Sequence, residues 1–318
     1  MSLYDLTRRA LHTAVPKGLR PAVKAPFYAL RSMIRRIRRR TGPDIAAEAL
    51  ARDLARGGIE AGDTICVHGS LSQIGNVRGG GAAVIGALQA AVGPRGTLLM
   101  PAYGSADQVF SDASPEVDLR TAASMTGALT EIFRASDGVR RSSHPFSSVC
   151  AWGTQADFVI GGHADDPRIC HPGSPLARLH QLGGKVMGVG ITLGPVSFYH
   201  VVEDAGGGFP VEVYDPPRTV RYVDATGASV ARPVMRYKAD LVRKRIDSAN
   251  NSWIRDRFTE DFERRGIIRY FSLGAARCWV IDSRAMFDAV RDLADRGITI
   301  YTTPGDRTEP WPNGPETR

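Results

Sequence analysis

Hydrophobic residues fall into short runs whose spacing switches between the helical and the strand period from residue 45 onward. Helical spacing through Leu54 leads into a compact apolar run at 64–68, a loop rich in Ser and Gly, a helical stretch at 82–92 and a second apolar run at 96–101. Further along, 125–133, 253–264 and 283–296 carry helical spacing, while 146–152, 185–190, 219–223 and 234–237 read as strands. Strands alternating with helices predict an α/β fold with a central mixed, largely parallel sheet flanked by helices. Upstream, apolar patches at 3–11 and 27–37 lie among arginines, until Thr41, Gly42 and Pro43 break the pattern. The reading is a basic N-terminal helical arm at 1–43, an α/β domain at 44–302 and a polar, Pro-rich tail at 303–318.

Composition supports a folded chain, since 43% of the 318 residues are apolar. No apolar run approaches the ~20 residues that cross a bilayer, and the first residues lack the apolar stretch and cleavage site of a secretory signal. The expectation is a cytoplasmic protein. Cys66, Cys150, Cys170 and Cys278 are scattered without a CxxC pair, so reduced, mostly buried thiols are expected. Cys170, His171, His163 and Asp165 lie near one another in sequence, yet half of a zinc spacing is missing and no metal is expected.

Charge changes the picture. Of the net +8, residues 1–40 contribute +10 through eleven Lys and Arg against Asp5 alone, and the remainder carries −2. Such an arm suits an anionic membrane surface, a polyanion, or docking on the main domain with its arginines solvated. Peripheral membrane attachment through 1–40 is therefore an open alternative, and no specific nucleic acid is expected.

The richest segment chemically is HGSLSQIGNVRGGG at 68–81, which runs from a strand end into a helix start. Glycines before a helix offer backbone N–H groups to anionic oxygens at the carboxyl end of a sheet. Neither GxGxxG nor the Lys-Ser/Thr ending of a P-loop is present.

With GPRGTLLMP at 93–101, this segment resembles the opening of the aminoglycoside 3-N-acetyltransferase family, whose members carry an "HSSLxxxG…GG" loop and a "VGxxGTLxMP" strand. HPFSSVCAWG at 144–153 is similar to the family's "HPxxSxxAxG", and SPLARL at 174–179 with GKVMGVG at 184–190 is similar to its "SPLxKL…GKVLLLG". The blocks span about residues 45–215 in order. In VSFYHVVED at 196–204, His200 and Glu203 fall on the family's His and Glu, and Ser197 on its Thr, but Val196 replaces its Asn.

The resemblance implies an acyltransferase that takes acetyl from acetyl-coenzyme A to a small-molecule amine, with His200 as general base. An alkyl amine is protonated near neutrality and must lose a proton before it attacks, a task suited to imidazole. On a helix Glu203 at i+3 shares the face of His200 and fixes its tautomer, with Asp204 at i+4 as competitor. Also by resemblance, Ser70 and Leu71 are the candidates to stabilise the oxyanion, and the coenzyme-binding set is Ser70, Leu71, Arg78, Gly79, Gly80, Gly81 and Ser147. The substrate-binding set is His144, Tyr103, Ser197 and Asp204, with His144 equally readable as a structural cap.

A polycationic acceptor calls for a carboxylate-lined site, whereas the main domain is nearly neutral. This ranks an amino sugar, with a nucleotide-linked one among the candidates, above an aminoglycoside antibiotic. A thioester hydrolase and a membrane- or polyanion-binding module are the other classes, and homo-oligomerisation is left open.

Overall fold

The computed structural model describes residues 43–112, 116–249 and 251–306. The described residues from Ile45 onward belong to one compact unit. The expected basic arm, except residue 43, lies outside the described residues, as does the expected tail beyond 306.

The first elements are α1 (Ala47–Arg56), β1 (Thr64–Gly69), α2 (Leu71–Ile74), α3 (Gly80–Val92) and β2 (Thr97–Pro101). Next come α4 (Ala106–Val109), β3 (Val117–Asp118), α5 (Ala128–Arg134), β4 (Arg140–Arg141), β5 (Val149–Gly153), α6 (Ala156–Ile160), α7 (Pro175–Gln181) and β6 (Lys185–Val189). The chain closes with α8 (His200–Asp204), β7 (Arg218–Val223), β8 (Ser229–Val234), α9 (Ala239–Lys244), α10 (Ser252–Arg264), β9 (Ile268–Leu273), β10 (Ala276–Asp282) and α11 (Ser283–Asp295).

Seven strands form the central sheet in the order β9-β10-β6-β1-β2-β5-β4. The inner three, β6, β1 and β2, run parallel, and the outer pairings are antiparallel. The mixed sheet agrees with the sequence pattern, but parallel pairing is confined to its centre. The reason is local: β9 and β10 form a hairpin across Gly274, whose φ of 57° suits a tight turn. β7 and β8 form a second hairpin, to which β3 adds in parallel.

Strand periodicity divides the core in two. Ile65, Val67, Leu98, Met100, Met187 and Val189 face a layer built from α1, α3 and α5. Cys66, Leu99, Ala151, Val186, Trp279 and Ile281 point the other way, into a thicker layer holding α7, α8, α10, α11 and the three-stranded sheet. Single residues set several boundaries. Ser174 caps α7 with Pro175 in its first turn, and the Asp282 carboxylate accepts from the Arg284 and Ala285 amides to start α11 directly after β10.

Three differences from the sequence reading have physical causes. β5 begins at Val149 rather than 146, because the His144 ring accepts the Ser147 N–H at 3.0 Å and folds 145–147 into a turn. α5 begins at Ala128 rather than 125, behind Gly127 at φ 117°. The strand expected at 234–237 lies instead at 229–234, since the Asp224 carboxylate accepts the Thr226 and Ala228 amides and fixes the β7–β8 turn earlier in the chain. Tyr237 keeps only an isolated bridge to Tyr214.

The carboxyl ends of β6, β1 and β2 meet at one edge, and Trp279 shapes the chain as it leaves β6. Its indole lies across Gly188, where a Cβ would overlap the ring, and donates to the Ile191 carbonyl at 2.9 Å. Gly188→Ala should therefore lower stability by about 1–3 kcal/mol through overpacking, measured by urea unfolding; an unchanged midpoint would show that the indole yields without cost.

Candidate active site

A cleft of about 720 Å³ opens where the parallel strands end. β1 contributes His68 and Gly69, the β2 end contributes Pro101 and Tyr103, and the segment after β6 contributes Ile191, Val196 and Ser197. This is the carboxyl edge at which open α/β sheets hold their ligands. The opposite wall comes from Arg236, Tyr237, Val242, Arg245, Asp247 and Ile300.

His200 stands on the wall at the start of α8. A 3₁₀ turn, Ser197–Tyr199, delivers it, anchored by fully buried Phe198 and by the Tyr199 hydroxyl, which donates to the Leu193 carbonyl at 3.0 Å. Glu203, one turn on, lies beneath the imidazole with its Oε2 2.9 Å from Nδ1. Its side chain is 1% exposed against 10% for His200, so the carboxylate is sealed behind the ring that meets the cleft. A carboxylate accepts only, so in a neutral imidazole the Nδ1 proton faces Glu203 and Nε2 is left as the acceptor. The Tyr301 hydroxyl donates to the other oxygen, Oε1, at 2.8 Å. The Tyr237 ring lies 4.6 Å from the imidazole, tilted 31°, where its π face favours the ring when protonated.

Asp204 does not compete for His200. Its carboxylate accepts the Cys170 N–H and the Tyr214 hydroxyl, each at 2.8 Å, and thereby fastens α8 to two neighbouring segments. Burial pushes its carboxyl up to about 6, opposed by those two hydrogen bonds and reinforced by Glu203 nearby.

The other expected site residues divide into two groups. Tyr103, Ser147 and Ser197 line the cleft with His200. Ser70, Leu71, Arg78, Gly79, Gly80 and Gly81 are not among its lining residues. The Ser70 amide is spent on the Val189 carbonyl at 2.9 Å. Gly79 and Gly80 adopt φ 83° and 63° to turn the chain into α3, and a Cβ on Gly81 would collide with Ile132. Of the three, Gly81 faces α5 through Ile132. His144 lies outside the cleft lining, 1% exposed, with its ring edge-on to Phe146 at 4.8 Å. Burial, with His163 and His171 nearby, holds its imidazole well below the ordinary value.

The charges in the cleft are largely matched. Arg245 and Asp247 form a two-point pair at 2.8 Å, and Arg236 reaches Asp215 at 3.2 Å. Burial pushes Asp247 up, but the Arg245 guanidinium outweighs it and holds the carboxyl below the usual range. His68 is pushed down to about 4 by burial, so it is neutral at pH 7. Burial and the nearby Asp204 and Glu203 raise the Cys170 thiol well above its ordinary value, which leaves a poor nucleophile in the wall.

Among the described residues, no cluster of three His, Cys, Asp or Glu is placed to hold a metal, and no helix is long and apolar enough to cross a membrane. A second cavity of about 560 Å³ is lined by Arg120, Arg134, Arg140, Arg141 and Arg232. Three of these pair with Asp118, Glu131 and Asp157, while Arg141 donates to three carbonyls and Ser148. His163, which also lines it, uses both ring nitrogens, towards Ser142 and the Ile169 carbonyl. No base faces that cavity from His163.

Tyr301, Tyr237, Arg245 and Asp247 were not anticipated from sequence. They come from segments that no family block covers, and their spacing relative to His200 carries no local period.

Residues 66–295 match the family model described as aminoglycoside 3-N-acetyltransferase. The chain is 38% identical over 183 residues to aminoglycoside N(3)-acetyltransferase VII of Streptomyces paromomycinus, covering 52% of this chain and 62% of that protein. It is 37% identical over 180 residues to aminoglycoside N(3)-acetyltransferase VIII of Streptomyces fradiae, again covering 52% and 62%. The chain thus spans less than two thirds of the length of these relatives. Among solved structures it resembles aminoglycoside acetyltransferase AAC(3)-Xa, with a TM-score of 0.72, 28% identity and coverage of 84% of this chain and 99% of that one. It also resembles AAC-IIIb in a binary complex with CoASH, with a TM-score of 0.70, 25% identity and coverage of 82% and 100%.

The Asp204 geometry has a pH signature. Because its carboxyl binds a proton more readily folded than unfolded, its contribution to stability falls as pH rises from the ordinary 3.8 to about 6. Across that window the unfolding free energy of wild type should drop by roughly 2–3 kcal/mol relative to Asp204→Asn. Parallel urea-unfolding curves for the two proteins would contradict this.

Proposed function

The chain belongs to the aminoglycoside 3-N-acetyltransferase family, and from that premise we propose that it transfers acetyl from acetyl-coenzyme A to the amino group of an amino sugar. The observation that carries the reading is His200 at the cleft wall, with its Nδ1 bound to a sealed Glu203 carboxylate. The fit to coenzyme A rests on the apolar walls from Val67, Phe146, Ile169, Ile191 and Ile300, which suit the uncharged pantetheine arm and an acetyl group.

When bound, acetyl-coenzyme A supplies a thioester whose carbonyl carbon accepts the amine as the C–S bond breaks. His200 Nε2 takes the proton that the amine loses on forming the new N–C bond, and returns it to the departing sulfur. Glu203 keeps the Nδ1 proton in place and stabilises the imidazolium between those two transfers. The Tyr237 ring beside the imidazole adds to that stabilisation. Direct transfer needs no protein nucleophile, in keeping with the raised Cys66 and Cys170 thiols.

The acceptor reading rests on charge. Asp247 is matched by Arg245, which leaves exposed Asp107 as the cleft carboxylate without an ion pair among the described residues. A polycation gains little there, while an amino sugar with one amine, free or nucleotide-linked, is accommodated. The names of the relatives favour a second reading, an aminoglycoside acceptor.

An acceptor panel with acetyl-coenzyme A, monitored by thiol release, separates the two. Amino sugars or their nucleotide conjugates should turn over faster than polycationic aminoglycosides, and the reverse order replaces the first reading by the second. Rapid thiol release without any acceptor would indicate a thioester hydrolase instead. His200→Ala should lower kcat by about 10²–10⁴; a variant with full activity would remove the general base from the scheme.

A further inference from the structure

Glu203 has two carboxylate oxygens, and His200 uses one. The other is met by Tyr301, which is 98 positions further along the chain and beyond the residues that match the family model. Tyr301 is 3% exposed, and its backbone is tied on both sides. Its own N–H donates to the Thr299 hydroxyl at 3.2 Å, and the Thr299 N–H donates to the Thr302 hydroxyl at 2.9 Å. The Asn251 side-chain amide, from a residue 2% exposed, donates to the Thr302 carbonyl at 3.0 Å. Ile300, between these ties, lines the cleft.

We propose that Tyr301 is a positioning residue for acetyl transfer: its hydroxyl fixes the Glu203 carboxylate so that Oε2 meets His200 Nδ1. The inference rests on the general-base reading of His200. The terminal torsion of a glutamate is broad and nearly two-fold, so one hydrogen bond leaves the carboxylate free to rock and exchange its oxygens. A second donor on the opposite oxygen sets the plane of the group. It also takes up part of the negative charge, so the shared proton stays on the imidazole and Nε2 keeps its basicity within bounds.

Burial, then Glu203, push the Tyr301 phenol far above its ordinary range, so it remains a donor across neutral pH. The other ionisable groups that act on Glu203 are Asp204, Cys170, Tyr214 and Tyr237. His200 helps to hold the Asp247 carboxyl low from across the cleft, and Arg245 acts on Tyr301. Asp204 and Asp247 are engaged by Tyr214 and Arg245 respectively, which leaves Tyr301 as the donor to Oε1.

The test is Tyr301→Phe in the full chain, which removes the hydroxyl and keeps the ring. The KM for acetyl-coenzyme A should hold while kcat falls about tenfold. The acidic limb of the pH profile should move to higher pH, because the undonated carboxylate holds the imidazolium more tightly. Unchanged kcat and an unmoved limb overturn the proposal, and so does a loss of thermal stability with both unchanged. Site-specific 3-fluorotyrosine at 301 preserves shape and strengthens the donor, so the limb should move to lower pH; no movement counts against the proposal even where the phenylalanine variant does not fold. If wild type transfers acetyl to no amine, the functional reading fails by itself. The low-field proton resonance of His200 Nδ1, assigned by its loss in His200→Gln, then tests the hydrogen-bond chain alone, with an unmoved resonance in Tyr301→Phe overturning it.

Discussion

The contact between His200 Nδ1 and Glu203 Oε2 is where the demands of the fold and of the chemistry meet. An ionised carboxylate almost wholly shut off from water is costly unless each oxygen finds a donor. Glu203 finds one on each side, the imidazole and the Tyr301 phenol. The surrounding structure is arranged to hold those donors. The 3₁₀ turn before α8 and the buried Phe198 set the ring, the turn at 299–302 sets the phenol, and Asp204 fastens α8 from its far side. Through this chain of contacts, Tyr301 near the end of the described chain reaches the His200–Glu203 pair from its middle.

Legibility in the sequence depended on the range of the interaction. His200 and Glu203 lie one helical turn apart in a single motif, so the pair could be read from spacing and resemblance together. The central strands were legible for a similar reason: β1, β2 and β6 are buried on both faces and appear as unbroken apolar runs. The β9–β10 hairpin went unread because β9 alternates with exposed positions and is interrupted by Arg269, Tyr270 and Ser272. Tyr301 and Tyr237 were invisible because tertiary packing alone brings them to His200.

The glycine-rich segment at 68–81 was legible in its local geometry. Its glycines do turn the chain into a helix through positive φ, as their density suggested. A Cβ on Gly81 would meet the end of the Ile132 side chain, and the Ser70 amide bonds to the Val189 carbonyl. Only the first part of this segment, His68 and Gly69, reaches the cleft. The matched charges of the cleft agree with the near-neutral main domain, and the two together underlie the proposed preference for an amino sugar over a polycation.

The central claim is that His200 Nε2 receives the proton of an amine held in the cleft. A crystal structure with coenzyme A and a turned-over amino sugar measures this directly. The acceptor nitrogen should lie about 3 Å from Nε2, with Nδ1 still on Glu203. An acceptor whose reacting nitrogen lies beyond hydrogen-bond reach of His200, and against another base, would contradict it.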